Sequence, residues 1–159
     1  MKATASLFDA LSLGLISLVF YIYSLYAYPL FVPDEARYAE IAREMLVTHD
    51  YITPHLNGII FLDKPILYYW LTAIAMKWFG ATTFAVRFFP ALFGAIGVLL
   101  VYLCGKQLFD RRTGFIAALI LATTPLYFVG AHYANLDLEV AVLMSGCLLC
   151  WITAVHAAP

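Results

Sequence analysis

Charge is what this sequence has least of. Only 12% of its 159 residues are Asp, Glu, Lys or Arg, about half the share in an average soluble domain. That scarcity excludes an ordinary soluble domain and a charge-rich disordered chain. The net charge is −1, so nucleic-acid binding through bulk positive charge is excluded too. Cysteine is also scarce. Cys104, Cys147 and Cys150 are too few for a small protein built on disulfides. Cys147 and Cys150 form a C-x-x-C, but an i,i+3 pair in an apolar stretch reads as helix packing, because burial disfavours the thiolate.

What the chain has instead is apolar surface. Hydrophobic residues make up 64% of it, and the mean hydropathy is +0.88. Four runs carry no charge at all: Ala10–Pro33, Phe88–Gly105, Thr113–Leu136 and Val140–Pro159, of 24, 18, 24 and 20 residues. A helix of roughly 20 residues crosses the hydrocarbon of a bilayer. The sequence therefore predicts an all-α polytopic membrane protein with four transmembrane helices, near 8–29, 85–105, 112–131 and 138–157. Tyr21, Tyr23, Tyr26 and Tyr28 crowd the far end of the first run, as at a membrane–water interface. No small-residue cleavage site follows, so this run reads as a retained helix. Lys2, Lys106, Arg111 and Arg112 mark the cytoplasmic ends by the positive-inside rule.

The charges are not spread evenly. Of nine basic and ten acidic residues, nine gather between Asp34 and Lys64. They fall in the loop 30–84, which the orientation puts outside the cytoplasm. Two interfacial helices are expected there, at 34–48 and 65–79. The first starts with Asp34 as N-cap after Pro33 and carries an apolar stripe, Tyr38, Ile41, Ala42 and Met45, facing the membrane. Asn57-Gly58 marks a turn. Pro65 suits the first position of the second helix, whose stripe is Leu67, Leu71, Ile74 and Trp78. Lys64 beside a helix start favours an anion. Glu40, Arg43, Glu44 and Asp50 read as charges on a solvated helix face, and Glu139 as a solvated span end.

The loop motifs are specific. Pro33-Asp34-Glu35-Ala36-Arg37-Tyr38-Ala39-Glu40-Ile41-Ala42-Arg43-Glu44-Met45, then Thr53-Pro54-His55-Leu56-Asn57-Gly58, then Asp63-Lys64-Pro65-Ile66-Leu67-Tyr68-Tyr69-Trp70-Leu71 follow in order. Arg87-Phe88-Phe89-Pro90 and the Asn135-Leu136-Asp137 turn continue the series. Together they resemble the ArnT-like glycosyltransferases, which belong with the protein O-mannosyltransferases in the membrane-embedded GT-C fold class. The chain departs from the family pattern in Asp63 for the usual Glu, Ile66 for a second proline, and the extra acid Glu139.

The resemblance implies an inverting glycosyltransferase that takes a sugar from a polyprenyl-phosphate donor. The acceptor is a lipid of the lipid A or lipopolysaccharide type, or a protein. The active loop faces the periplasm, in a bacterial inner membrane. It also implies a larger enzyme with more membrane helices, of which these 159 residues are the N-terminal portion. The leaving phosphate needs fixed positive charge; the resemblance places Lys64 on it and Arg37 near it. Asp34 and Asp137 are implied as catalytic acids, Asp34 as the base if the acceptor is a hydroxyl. Glu35 and Tyr38 are implied at the substrate, and Asp63 as one ligand of a divalent metal that some members bind. A non-catalytic four-helix protein that binds a lipid phosphate is the alternative.

Overall fold

The computed structural model describes residues 2–157, and side chains from 6 to 155; residues 1, 158 and 159 of the expected domain lie outside this range. The elements run α1 (Lys2–Ile22), α2 (Asp34–Thr48), β1 (His55–Leu56), β2 (Ile59–Ile60), α3 (Ile66–Phe79), α4 (Thr83–Leu108), α5 (Arg111–Thr123), α6 (Pro125–His132) and α7 (Leu136–Ala157). Among the described residues the regular elements are helices except for one short hairpin, whose strands pair His55 with Ile60 and Leu56 with Ile59. Asn57 and Gly58 both take positive φ, at 53° and 78°, as a two-residue hairpin turn of this hand requires.

Two described helices, α4 and α7, are long and apolar enough to cross a membrane. With 26 residues, α4 is about 39 Å long at 1.5 Å per residue. It is the central post against which α1, α3, α5, α6 and α7 all pack. Against α5 the contact is backbone to backbone: a Cβ on Gly114 would lie 2.6 Å from the Lys106 nitrogen.

The expected third span is broken. α5 and α6 meet at an angle of 61°, because Pro125 has no N–H to give and forces Thr124 out of the helical region, to ψ 122°. Counted as one bent span, the pair makes three. The expected first span to residue 29 ends earlier, since α1 runs Lys2–Ile22, 21 residues.

The helices expected in the charged loop are present as α2 and α3. The stripe of α2 does not face outward as expected. Tyr38, Ile41 and Met45 are buried with Tyr68 and Tyr69 of α3, while Ala39 and Ala42 pack with Ala73, Met76, Ala85 and Val86. On α3 the buried face is Tyr68, Tyr69, Thr72, Ala73, Ala75 and Met76. Its expected stripe keeps Leu67, Ile74 and Trp78 exposed. The two helices thus form a lid braced on the upper end of α4.

Candidate functional site

The site is built around the head of α2. Glu35 was expected at a substrate, but it is fully buried against Arg87 of α4. The Arg87 Nε donates to Glu35 Oε1 at 2.8 Å and Nη2 donates to Oε2 at 2.6 Å. Three further Arg87 bonds go to the carbonyls of Leu25 and Tyr28, from Nη1, and of Pro29, from Nη2. All five guanidinium N–H groups are therefore used. The guanidinium also stacks over the Tyr28 ring at 4.1 Å. Glu35 in turn accepts from the backbone N–H of Phe31 at 2.8 Å and of Ala134 at 2.7 Å.

One ion pair thus ties together the end of α1, the head of α2, the head of α4 and the α6–α7 junction. Past the end of α1, where Ser24 takes a positive φ of 75°, the Leu25, Tyr28 and Pro29 carbonyls bond Arg87 instead of a helix. Burial raises the Glu35 carboxyl, but the Arg87 bonds and the two N–H donors prevail and hold it below its ordinary value. Arg87 is the residue that sequence reasoning missed. Its signal was its isolation, as the one charge between Lys77 and Lys106.

The neighbouring acid behaves differently. Asp34 is the first residue of α2 rather than its cap; Pro33 holds the cap position, with no side-chain hydrogen bond. The Asp34 carboxylate pairs with Arg37 one turn on, and its side chain stays 45% exposed. Tyr133, between α6 and α7, donates a long bond of 3.5 Å to Asp34 Oδ2. The Arg37 guanidinium lies 5.6 Å from the centroid of the Tyr38 ring and 5.8 Å from that of Phe61. Its buried Nε has no hydrogen-bond partner among the described residues.

Asp63 and Lys64 complete the constellation just before α3. Their ion pair is loose, at 3.9 Å between two exposed side chains. The Tyr38 hydroxyl, whose ring packs on Tyr68 of α3, feels opposing influences. Burial pushes it up, Lys64 and Arg37 draw it down, and Asp34 and Asp63 push it up. Behind it, burial lifts the Tyr69 phenol to about 12. Tyr38, Tyr68 and Tyr69 make a wall of tilted and edge-on rings 5.4–6.2 Å apart. The structure therefore brings Asp34, Arg37, Tyr38, Asp63 and Lys64 together.

The two helix heads differ as anion sites. At α2 the Phe31 carbonyl accepts from Glu35 and the Pro33 carbonyl from Arg37. At α3 no side chain caps the helix, and among the described residues no loop carbonyl takes its first N–H groups. The open head is the one that follows Lys64, where an anion gains both the N–H groups and the ammonium.

Asp137 stands apart from this group. Asn135 Nδ2 donates to its Oδ2 at 2.6 Å, and its own N–H donates to Asn135 Oδ1 at 3.2 Å. It lines a cavity of about 540 Å³ between α6 and α7, together with Tyr127, Gly130, Tyr133 and Leu138. Tyr133 is the connection, since it lines this cavity and also reaches Asp34. Among the described residues no three His, Cys, Asp or Glu side chains gather as metal ligands. Among the described residues Asp63 has Lys64 as its ion-pair partner. Glu139, expected at a solvated end, is buried instead.

Residues 63–158 match the family described as dolichyl-phosphate-mannose-protein mannosyltransferase. An undecaprenyl phosphate-alpha-4-amino-4-deoxy-L-arabinose arabinosyl transferase of Proteus mirabilis is 36% identical over 154 residues, which is 96% of this chain and 28% of that protein. The enzyme of that name from Aeromonas hydrophila is 40% identical over 139 residues, covering 87% of this chain and 25% of its own. The crystal structure of ArnT from Cupriavidus metallidurans bound to undecaprenyl phosphate superposes with a TM-score of 0.82 at 31% identity, over 90% of this chain and 26% of that one. The chain thus spans about a quarter of the length of the proteins it matches.

Proposed function

The chain belongs to the dolichyl-phosphate-mannose-protein mannosyltransferase family and is ArnT-like within it, and on that premise we propose that it takes part in moving a sugar from a polyprenyl-phosphate donor to a lipid A-type or protein acceptor. The reaction is an inverting displacement. The acceptor oxygen attacks the anomeric carbon from the side opposite the phosphate. The anomeric C–O bond breaks, its electron pair stays with the phosphate, and the polyprenyl phosphate leaves.

Lys64 and Arg37 meet the charge that builds on the leaving phosphate. The loose Asp63–Lys64 pair frees the ammonium to swing toward an anion, at small cost for a pair so exposed. Arg37 adds a planar, bidentate donor. Asp34 takes the proton if the acceptor is a hydroxyl, and otherwise orients the acceptor. Asp137, in the cavity beside Tyr133, stabilises the sugar ring as it gains positive charge. The cavity's apolar walls suit the start of a polyprenyl tail. In this reading the loop faces the periplasm and the helices lie in the bacterial inner membrane.

The observation that carries the proposal is the meeting of Lys64, an uncapped helix head and Arg37 around Tyr38. The test is transfer by the full-length protein in membranes, with an undecaprenyl-phosphate sugar as donor. Lys64→Ala is expected to abolish transfer without changing the melting temperature. Normal turnover in that variant removes Lys64 from the mechanism. Donor binding with no transfer by the unaltered protein favours a lipid-phosphate carrier instead.

A further inference from the structure

We infer that the groove between α1 and α5, at the far end of α4 from the charged loop, holds one anionic phospholipid, with its phosphate on Arg111 and Arg112 and an acyl chain along α1. In the orientation proposed above this end of the bundle is cytoplasmic. The inference does not depend on the sugar-transfer chemistry at the other end.

The groove begins at the α4–α5 turn. Its volume is about 520 Å³, and it is lined by Asp9 of α1 and by Arg111, Arg112, Phe115 and Ile116 of α5. Two cations thus stand one turn away from two apolar side chains, the order of a phospholipid head and tail. Lys106, Arg111 and Arg112 face the acids Asp9 and Asp110 in this region, and both acids are engaged. Arg111 donates to Asp9 from Nε at 2.5 Å and from Nη2 at 2.8 Å, and the Tyr102 hydroxyl donates to it at 3.2 Å. Asp110 caps α5, accepting from the backbone N–H groups of Arg112 and Thr113. Lys106 is turned toward the Ser6 hydroxyl. The Asp9 side chain is 12% exposed and that of Arg111 50%, so the groove presents the cation more than the acid. Arg112 is exposed and takes part in no ion pair among the described residues. Arg111 adds the N–H groups that Asp9 leaves unused.

The face of α1 that carries Asp9 continues as a second groove. Ile16 and Phe20 follow Asp9 at i+7 and i+11, which puts them within about 20° of its direction on the helix. They line an apolar groove of about 470 Å³ with Leu15, Val19 and Tyr23. The Phe20 ring lies 4.9 Å from that of Phe128 on α6, so this face borders α6 as Asp9 borders α5. From Asp9 to Phe20 is about 16 Å along the helix, close to the depth of one leaflet in a hydrocarbon layer roughly 30 Å thick.

These two grooves select the occupant. A free phosphate would leave the apolar face of α1 bare, and a neutral tail would leave Arg112 unpaired. A phosphodiester of net negative charge with an acyl chain, as in phosphatidylglycerol, meets both. Arginine suits the head, because its planar fork pairs with phosphate oxygens bidentately. Basic pockets at the cytoplasmic ends of membrane helices hold anionic heads in this way. A phosphatidylcholine head brings a quaternary ammonium that the two arginines repel.

The experiment uses the full-length protein, with phosphatidylglycerol as the probe. After release from nanodiscs of equal parts phosphatidylglycerol and phosphatidylcholine, native mass spectrometry should find one phosphatidylglycerol retained. Arg112→Ala should weaken retention about fivefold. Arg112→Glu should remove it, and Arg112→Lys should restore most of it. Ile16→Trp fills the tail groove with every charge in place and should also lose the lipid. Both positions are exposed, so folding is expected to survive. Phosphatidylglycerol should raise the melting temperature of the unaltered protein and leave that of Arg112→Glu where it is. Equal retention of the two lipids, or full retention in Arg112→Glu or Ile16→Trp, overturns the inference. So does a density map in which another part of the full-length chain fills the groove.

Discussion

Asp34 and Glu35 are neighbours at the head of one helix, yet they do opposite work. Glu35 is fully buried, bound to Arg87, with both oxygens taken up by protein donors. Asp34 is half exposed, bound to Arg37, and its pair leaves the Arg37 Nε without a partner. Both pairs join an acid to an arginine. What separates them is spare bonding capacity. The Glu35–Arg87 pair uses every donor it has, so it can hold four segments together but can receive nothing. The Asp34–Arg37 pair leaves bonding capacity unused and its side chains stay part-exposed, as the phosphate-binding role proposed for Arg37 requires.

The largest effect should come from breaking the buried pair. Arg87→Leu leaves Glu35 as an uncompensated buried charge, which costs about 3–5 kcal/mol. We expect loss of folded protein, read by monodispersity in detergent and by thermal melting. The double variant Arg87→Leu/Glu35→Leu should recover much of the loss. A single variant that melts with the unaltered protein would show that the four segments hold together without the pair. Next in size is Asp34→Asn. It should lower transfer about 100-fold, the usual scale for a lost acid–base group, while melting stays unchanged. Falling melting temperature in that variant would put Asp34 in the same class as Glu35 and erase the contrast.

The sequence made some of this legible and hid the rest, for physical reasons. The helices α2 and α3 were legible because apolar spacing and proline placement are local signals. The grouping of Asp34, Arg37 and Lys64 followed from motifs in the same loop. Spacing says which face of α2 is apolar but not what covers it, so the stripe was expected against lipid and packs on α3 instead. The course of the chain after α1 was hidden because its carbonyls are held from far away, by Arg87, 58 to 62 residues on. Pro125 was in plain view, but the unbroken apolar run around it masked the bend. Glu35 read as a helix-start acid like Asp34, and only its contact with α4 tells them apart. Glu139 read as solvated because its partner in burial, α3, lies some 70 positions earlier in the chain, at Tyr68.

A smaller effect is the acid limb of stability. The Glu35 carboxyl is held below its ordinary value of 4.5 in the fold. Its contribution is therefore complete above about pH 4.5, where the unfolded chain is also ionised, and is lost as pH falls through the lower folded value. Thermal melting should be flat in this respect from pH 5 to 8 and decline in acid. Glu35→Gln should start from a lower melting temperature and decline less. An equal acid slope in both proteins would assign the acid sensitivity to other carboxylates.

The smallest effect belongs to the third ion pair of α2. Arg43 donates to Glu40 twice, at 2.8 and 2.6 Å, so its geometry rivals that of Arg87 with Glu35. Its surroundings do not, since the two side chains are 48% and 31% exposed. Water competes for every bond, and ordering two long side chains offsets what the pair gains. Arg43→Ala should therefore leave both the melting temperature and the donor KM unchanged. A raised donor KM would show that the positive field extends over the outer face of α2, and charge rather than spare bonding capacity would then mark the functional residues of this helix.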